Sequence, residues 1–194
     1  MRILVLSLKG GVGKSTTAVH LAAIMASRGG TLLVDADPAG GASLWAARGD
    51  MGFETATPED AKLKRFEHVV VDTRAQPKAK TLDEFSRKAD LLIVPTAPSE
   101  LALETLPRLK NDLEDLPFKV LVTLAPPPPS RDAERALERL AELELPHFKS
   151  VIRRAAAFEK AVQLGCLVRD VRGDPRAALA WNDYVSVGVE ILNG

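Results

Sequence analysis

Cysteine, net charge and long apolar runs are scarce or absent in this chain of 194 residues. Its one cysteine, Cys166, excludes an intrachain disulfide and a metal site built from several cysteines, and it suits a reducing compartment. Lysine plus arginine and aspartate plus glutamate number 26 each, so the formal net charge is zero. Overall charge therefore argues neither for nor against nucleic acid, and a nucleic-acid surface would have to be local.

No apolar run approaches the roughly 20 residues that a helix needs to span a bilayer. The N-terminus also lacks the charged leader, apolar stretch and small-residue cleavage site of a secretory signal. We therefore expect a soluble, cytoplasmic protein. Because 46% of the 194 residues are hydrophobic, the chain can form one sizeable core and hardly two, so we expect a single domain over residues 1–194.

A phosphate-binding loop is the strongest signal in the sequence. An apolar run that predicts a strand precedes it, and an alanine-rich pattern that predicts a helix follows it. Strand, glycine-rich loop and helix form the context in which backbone N–H groups and a helix N-terminus bind phosphate. Lys14 is placed to reach the β- and γ-phosphates, and the Ser15 hydroxyl to ligate Mg²⁺. The expected nucleotide-binding residues are Lys9, Gly10, Gly11, Val12, Gly13, Lys14, Ser15 and Thr16.

Short apolar runs alternate with longer helical patterns along the rest of the chain. This alternation predicts an α/β fold of the P-loop NTPase class, with a mostly parallel central sheet covered by helices on both faces. The predicted strands are Arg2–Ser7, Thr31–Val34, His68–Val71, Leu91–Val94, Lys119–Thr123 and, more weakly, Phe148–Ile152. The predicted helices are Thr16–Ser27, Thr81–Lys88, Leu101–Leu113, Arg131–Glu144 and a final helix within Asp174–Leu192.

Aspartates follow two of the predicted strands. Asp35 and Asp37 come after the second strand, and Asp72 comes after the third. Ligands bind at the carboxyl ends of the strands in open α/β sheets, so we expect these side chains to face the phosphate loop. In a chain with a phosphate loop, an aspartate at the end of an apolar strand holds Mg²⁺ through water, which is the role expected of Asp72.

The loop departs from the common phosphate-loop pattern. Leu8 stands where that pattern has glycine, and Lys9 adds a second lysine five residues before Lys14. With the signature Lys-Gly-Gly-x-Gly-Lys-Ser, the sequence resembles the deviant Walker A ATPases, which include the ParA and MinD partition proteins and the nitrogenase iron protein. The resemblance extends through Asp35–Pro38 and Ala89–Pro95 and covers essentially the whole chain. Among these ATPases the chain resembles the short ParA forms, so we expect no additional N-terminal helix-turn-helix domain.

This resemblance implies ATP and Mg²⁺ as cofactors and an ATPase that closes into a homodimer on ATP binding. In the family the first lysine reaches the nucleotide of the other subunit, a role that falls here on Lys9. The second aspartate of the family's Asp-x-Asp-Pro segment positions the attacking water, which assigns hydrolysis to Asp37 and a neighbouring place in the magnesium and water shell to Asp35. The implied catalytic residues are Lys9, Lys14 and Asp37, and the implied magnesium-shell residues are Ser15, Asp35, Asp37 and Asp72.

The resemblance also implies a cargo-positioning cycle. In the family the ATP dimer binds double-stranded DNA without sequence preference, and a ParB-like or other adaptor releases it by stimulating hydrolysis; the cargo is usually a plasmid or chromosome. We therefore expect nucleoid association in ATP and no membrane contact. The candidate DNA surface is a local group of arginines, for which solvation or pairing with nearby aspartates is the alternative. Its members are Arg153, Arg154, Arg169, Arg172 and Arg176.

One departure and two alternatives stay open. Arg74 stands where the partition ATPases have proline after Asp72-Thr73, which leaves the geometry of that loop undetermined. A MinD-like membrane-surface protein would need a basic amphipathic C-terminal helix, but no lysine or arginine follows Arg176. A metabolic P-loop ligase such as a dethiobiotin-synthetase-like enzyme would need extra substrate loops, for which this compact chain has little room.

Overall fold

The computed structural model describes residues 1–75, 88–113 and 116–194, with the side chains of these ranges except at 108–111. Within them, six strands form one sheet in the order β3-β2-β4-β1-β5-β6. Every pairing between neighbouring strands is parallel. The predicted parallel α/β sheet is therefore confirmed. The strands are β1 (Arg2–Ser7), β2 (Thr31–Ala36), β3 (Glu54–Ala56), β4 (His68–Ala75), β5 (Leu91–Thr96) and β6 (Phe118–Val122).

Helices cover both faces of this sheet. Side chains alternate between the two faces of a strand, and in β1 the pair Ile3 and Val5 joins one apolar cluster while Leu4 and Leu6 join the other. The first cluster holds residues of α1, α2, α6 and α7, and the second holds residues of α3, α4 and α5. The helices are α1 (Lys14–Ala26), α2 (Gly41–Ala46), α3 (Glu100–Leu103), α4 (Leu106–Leu113), α5 (Asp132–Glu142), α6 (Ala156–Leu164) and α7 (Ala177–Asn193).

The described helices include none that is both long and apolar enough to cross a membrane.

The strand order explains where the ligand site lies. The chain begins in β1, near the middle of the sheet, with β4, β2 and β3 on one side and β5 and β6 on the other. Such a reversal of strand order opens a crevice at the carboxyl ends of the strands, where open α/β sheets bind ligands. The phosphate loop follows β1 directly. Asp35 of β2 is in register with Asp72 of β4, so both carboxylates come to the same edge.

The predicted helix over Leu101–Leu113 is two helices. α3 ends at Leu103, and α4 begins at Leu106 with Pro107 as its second residue. Proline has no backbone N–H and clashes with the preceding turn, so a continuous helix through this position is disfavoured, whereas proline fits a first helical turn. The apolar spacing was therefore a correct sign of helix but not of one unbroken helix.

The predicted strand Phe148–Ile152 does not form as a regular strand. The N–H groups of Phe148 and Ile152 bond to β6, donating to the carbonyl oxygens of Val120 and Val122 at 2.9 Å each. Between them, the N–H groups of residues 149 and 150 donate instead to the carboxylate of Glu190 on α7, at 2.9 and 2.7 Å. This side-chain acceptor interrupts the ladder.

β3, α2 and α6 match none of the strands and helices predicted from the apolar patterns, and one predicted helix lies almost wholly outside the described residues. β3 has no apolar run, because two of its three residues are exposed at the sheet edge. α2 is six residues long and begins after Gly40, too short for a helical period to show. The helix predicted over Thr81–Lys88 lies, except for Lys88, outside the described residues.

Candidate nucleotide-binding site

The phosphate loop has the backbone geometry that an anion site requires. Gly11 and Gly13 have φ of 76° and 78°, a left-handed conformation that residues with a Cβ rarely adopt. Gly13 is the N-cap of α1 and provides no side-chain hydrogen bond. The first N–H groups of a helix have no partner within the helix. The loop and the first turn of α1 therefore leave backbone donors for an anion, beside the positive end of the helix dipole.

Lys14 connects the loop to the two strand-end carboxylates. Its Nζ donates to Asp72 Oδ1 at 2.9 Å and lies 3.7 Å from Asp37 Oδ2. Lys14 is 8% exposed, and Asp72 is fully buried. The structure therefore brings together Lys14, Asp37 and Asp72, which the sequence placed on three separate elements.

Asp72 has an oxygen suited to a magnesium and water shell. Burial raises the pKa of its carboxyl, and the positive charge of Lys14 opposes that shift. Its buried Oδ2 has no hydrogen-bond partner among the described residues. These residues contain no group of three or more His, Cys, Asp or Glu side chains that could hold a metal alone. The donor set thus fits Mg²⁺, which binds through one or two protein groups together with phosphate and water.

Asp35, near the carboxyl end of β2, and Asp37, directly after the strand, have different surroundings. Asp35 is 5% exposed. Its Oδ1 accepts the Asp37 N–H at 3.1 Å and its Oδ2 accepts the Ser43 N–H at 2.8 Å. Asp35 therefore holds the loop that carries Asp37, and its place in the magnesium and water shell stays a prediction. Asp37 accepts one N–H, from Ala39 at 3.0 Å, and its side chain is 25% exposed, so it remains open to water.

Lys9 reaches a backbone carbonyl of its own chain. Its Nζ donates to the Leu101 oxygen at 2.7 Å. Leu101 lies in α3, and its side chain is 68% exposed. Lys9 also lines the same cavity as Lys14 and Asp37. The expected contact of Lys9 with a second subunit stays a prediction.

The cavity at this edge extends well beyond the phosphate loop. Its volume is about 790 Å³, within the range of small-molecule sites. The loop residues and Asp37 form part of its lining. The cavity is also lined by apolar and aromatic residues that the sequence did not single out as site residues, namely Leu124, Ile152, Ala155, Ala156, Phe158, Val162 and Tyr184, and by the charged residues Arg153, Arg154 and Glu159.

The five arginines expected to bind DNA have unlike environments. Arg153 forms a two-pronged ion pair with Asp183 of α7, with Nε–Oδ2 and Nη2–Oδ1 distances of 2.6 and 2.7 Å. Arg154 is exposed and lines the cavity beside Arg153. The Arg169 guanidinium lies 4.6 Å from the centroid of the Trp181 ring. Arg172 and Arg176 are exposed. Arg154 is thus the arginine of this set that is exposed next to the site, and DNA binding by the set stays a prediction.

This combination of glycine loop, buried lysine and strand-end aspartates defines a P-loop nucleotide-binding protein. The family model described as the CobQ/CobB/MinD/ParA nucleotide binding domain matches residues 3–178. The chain therefore belongs to this family, which confirms the resemblance drawn from the loop.

Curated relatives cover nearly the whole chain. The chain is 36% identical to "Maintenance of carboxysome distribution protein A" of Gloeobacter kilaueensis over 97% of its own length and 93% of the relative. It is 28% identical to the protein of the same name in Halothiobacillus neapolitanus, over 90% of this chain and 89% of that one. Among solved structures, the ATP complex of a McdA variant from Cyanothece superposes with a TM-score of 0.78 at 15% identity, covering 99% of this chain and 96% of that one. At that identity, the last match shows the fold alone.

Proposed function

We propose that this chain is a ParA-type ATPase that distributes a large cargo along DNA. It is an ATPase of the ParA/MinD family with ATP and Mg²⁺ as cofactors. The contact of Lys14 with Asp72 and its closeness to Asp37 beside the phosphate loop support the ATPase part of the proposal. This geometry occurs in a chain that is 36% identical to a protein named for carboxysome distribution.

The residues at the site have separable roles in hydrolysis. The loop N–H groups and the first turn of α1 bind the phosphates, and Lys14 balances charge that develops on the transferring phosphoryl group. Ser15 and Asp72 Oδ2 would hold Mg²⁺, which supplies charge neutralisation for the phosphates. Asp37, whose side chain is 25% exposed beside Lys14, orients the attacking water. Asp35 fixes the loop that carries Asp37.

Two subunits close face to face around the nucleotide in this proposal. Lys9 leaves the Leu101 carbonyl of its own chain and contacts the phosphates held by the partner subunit. The support is that Lys9 lines the cavity and that its ammonium group bonds, among the described residues, to the neutral Leu101 carbonyl rather than to a carboxylate. Phosphate is the stronger acceptor for an ammonium group, because it carries negative charge and the carbonyl oxygen is neutral.

The ATP dimer binds DNA through local positive charge and is nucleoid-associated, and an adaptor releases it by stimulating hydrolysis. The names of the relatives favour a large cellular body such as a carboxysome as cargo over the plasmid or chromosome first expected. Zero net charge requires the DNA contact to be local, and exposed Arg154 beside the site is the leading candidate.

The proposal is tested by retention of the purified protein on non-specific duplex DNA. With Mg²⁺ and ATP the wild type is expected to be retained and to elute as salt rises, because its DNA contacts are to phosphates. With ADP, or with the Lys14→Ala variant in ATP, retention is expected to be lost. Retention that is equal in ATP, in ADP and without nucleotide would contradict an ATP-driven cycle on DNA.

A further inference from the structure

A buried cluster joins the C-terminal helix α7 to the first turn of α1. We call Thr17, His20 and Tyr184 the Tyr184 cluster. Tyr184 is 1% exposed, and its Oη lies 3.0 Å from Thr17 Oγ1. Its ring stacks on the imidazole of His20 with centroids 4.8 Å apart and planes 12° apart. Two elements far apart in sequence therefore share one hydroxyl pair and one ring stack, in addition to their apolar packing.

The hydrogen bonds of His20 fix it in one tautomer. The Val168 N–H donates to Nε2 at 3.2 Å, so Nε2 is an acceptor. The proton is then on Nδ1, which donates to the Thr16 carbonyl oxygen at 2.7 Å. Burial lowers the pKa of His20 to about 4, so the ring is neutral near pH 7. His20 thus holds the carbonyl of Thr16 from one side and the chain before α7 from the other.

These contacts are made by the first turn of α1, which directly follows the phosphate loop. Thr16 and Thr17 follow Ser15 directly, in the first turn of α1. No side chain caps that turn. Tyr184 itself lines the nucleotide cavity, together with Thr16. The orientation of the first turn therefore depends on lateral contacts, and the Tyr184 cluster supplies some of them, in addition to the bond from Lys14 to Asp72.

Core packing alone does not account for the hydroxyl pair. The buried face of α1 is otherwise mainly apolar, with Ala18, Leu21 and Ala22 fully buried. Valine at Thr17 and phenylalanine at Tyr184 would fill nearly the same space with no polar atom to satisfy, and buried polar atoms without partners are costly. The two hydroxyls instead pair at the first turn of α1, directly after the phosphate loop, where their bond can fix the orientation of that turn.

We propose that Tyr184 is a positioning residue for the phosphate loop, which acts through the Thr17 hydroxyl and the stacked His20 and makes nucleotide affinity depend on the seating of α7. The inference rests on the nucleotide-binding function proposed above. Tyr184 acts on the nucleotide through α1, so its hydroxyl and that of Thr17 are one functional unit. A change that displaces α7 is then transmitted to the phosphates through this contact.

The test measures ATP and ADP dissociation constants by titration calorimetry, with Mg²⁺, for Tyr184→Phe, Thr17→Val and the double variant. Each single change is expected to weaken binding about 3- to 10-fold, the range of one net hydrogen bond. The double variant is expected to bind no more weakly than either single variant, because both remove the same bond. Thr17→Ser keeps the hydroxyl and is expected to restore wild-type affinity.

Thr31→Val is the matched control. Thr31 is also buried, and its Oγ1 donates to the Gly29 oxygen at 2.9 Å, at the opposite end of β2 from the site. It is expected to lose stability with no change in nucleotide affinity. Wild-type affinity in both single variants, with only stability lost, would overturn the inference and leave the proposed function intact. Weakening by Tyr184→Phe alone would also overturn it, because Tyr184 would then contact the nucleotide directly. Failure of the wild type to bind nucleotide would contradict both.

Discussion

Lys14 belongs at once to the nucleotide site and to the protein interior. It is 8% exposed and bonds to the fully buried Asp72. Removing one partner of a buried ion pair leaves the other charge without compensation, which costs more than losing the pair outright. Loss of Lys14 is therefore expected to affect both ATP binding and folding stability. The two effects can be separated by mutation.

Lys14→Ala is expected to weaken ATP binding by at least about 100-fold, or about 2.7 kcal/mol, because it removes the main cation facing the phosphates. The free energy of unfolding is expected to fall by about 3 kcal/mol, since Asp72 is left unpaired. Calorimetric titration and denaturant unfolding measure the two effects. In Lys14→Ala/Asp72→Asn, stability is expected to recover while ATP affinity stays low. Wild-type affinity in Lys14→Ala would show that the phosphate-loop assignment is wrong.

His20 is expected to make stability depend on pH. Burial lowers its pKa from 6.5 to about 4 in the folded protein, and the nearby Arg169 charge acts in the same direction. Between these values the unfolded chain binds more protons, so the free energy of unfolding falls as pH falls from 6.5 toward 4 and is unaffected by His20 above that window. The full contribution is about 3 kcal/mol.

Urea unfolding across pH 7 to 4 checks this expectation. His20→Asn is expected to give the flatter profile, because asparagine does not titrate. His68, Asp174 and Glu190 also have lowered pKa values, but they titrate in both proteins and cancel in the difference. Parallel profiles for the two proteins would show that His20 does not titrate in this window.

At the scale of elements, the periodicity of apolar residues predicted the strands and helices that are held by burial of apolar side chains. β1, β2, β4, β5 and β6 are buried on both faces, and their apolar runs stand out in the sequence. β3, which is polar and at the edge, gave no such signal, and Pro107 divided one predicted helix. The interrupted strand near Phe148 depends on Glu190, whose contact across more than 40 positions no local pattern contains.

The candidate site, like the fold, could be predicted from the sequence only in part. The phosphate loop and the strand-end aspartates are contiguous motifs, and their residues could be named in advance. The pairing of Lys14 with Asp72, the hold of Asp35 on its own loop and the contact of Lys9 with Leu101 depend on tertiary distances. The Tyr184 cluster joins positions 17, 20 and 184, and from the sequence Tyr184 was indistinguishable from ordinary core.

Arg154, in the segment between α5 and α6, gives a prediction about DNA. Arg154→Glu is expected to weaken duplex binding in ATP and to reduce the slope of log affinity against log salt by about one, because one phosphate contact is lost. ATP affinity is measured beside DNA affinity and DNA binding is compared at saturating ATP, because Arg154 also lines the nucleotide cavity. Arg28→Glu is the matched control, because it changes charge equally on an exposed residue at the far end of α1. Equal DNA binding by Arg154→Glu and Arg28→Glu would remove Arg154 from the interface.

At the scale of the whole molecule, the proposed cycle depends on two residues with opposite tasks. In this cycle Asp37 orients the attacking water. It is not needed for the two subunits to close, because Lys14, Ser15 and Asp72 still bind ATP and Mg²⁺ without it. Lys9 serves closure, and its contact in one protomer is with a backbone carbonyl that the partner's phosphates would replace. Both variants are expected to be inactive, for different reasons.

The most direct test of this account is the molecular mass of Asp37→Ala and Lys9→Ala in ATP and Mg²⁺, measured by sedimentation velocity. Asp37→Ala is expected to accumulate as a dimer, because it binds ATP and cannot hydrolyse it. Lys9→Ala is expected to stay a monomer with ATP bound, because it lacks the contact made across the interface. The wild type in ADP, expected as a monomer, is the reference. Two monomeric variants, or a dimeric Lys9→Ala, would contradict the ATP-closed dimer at the centre of the account.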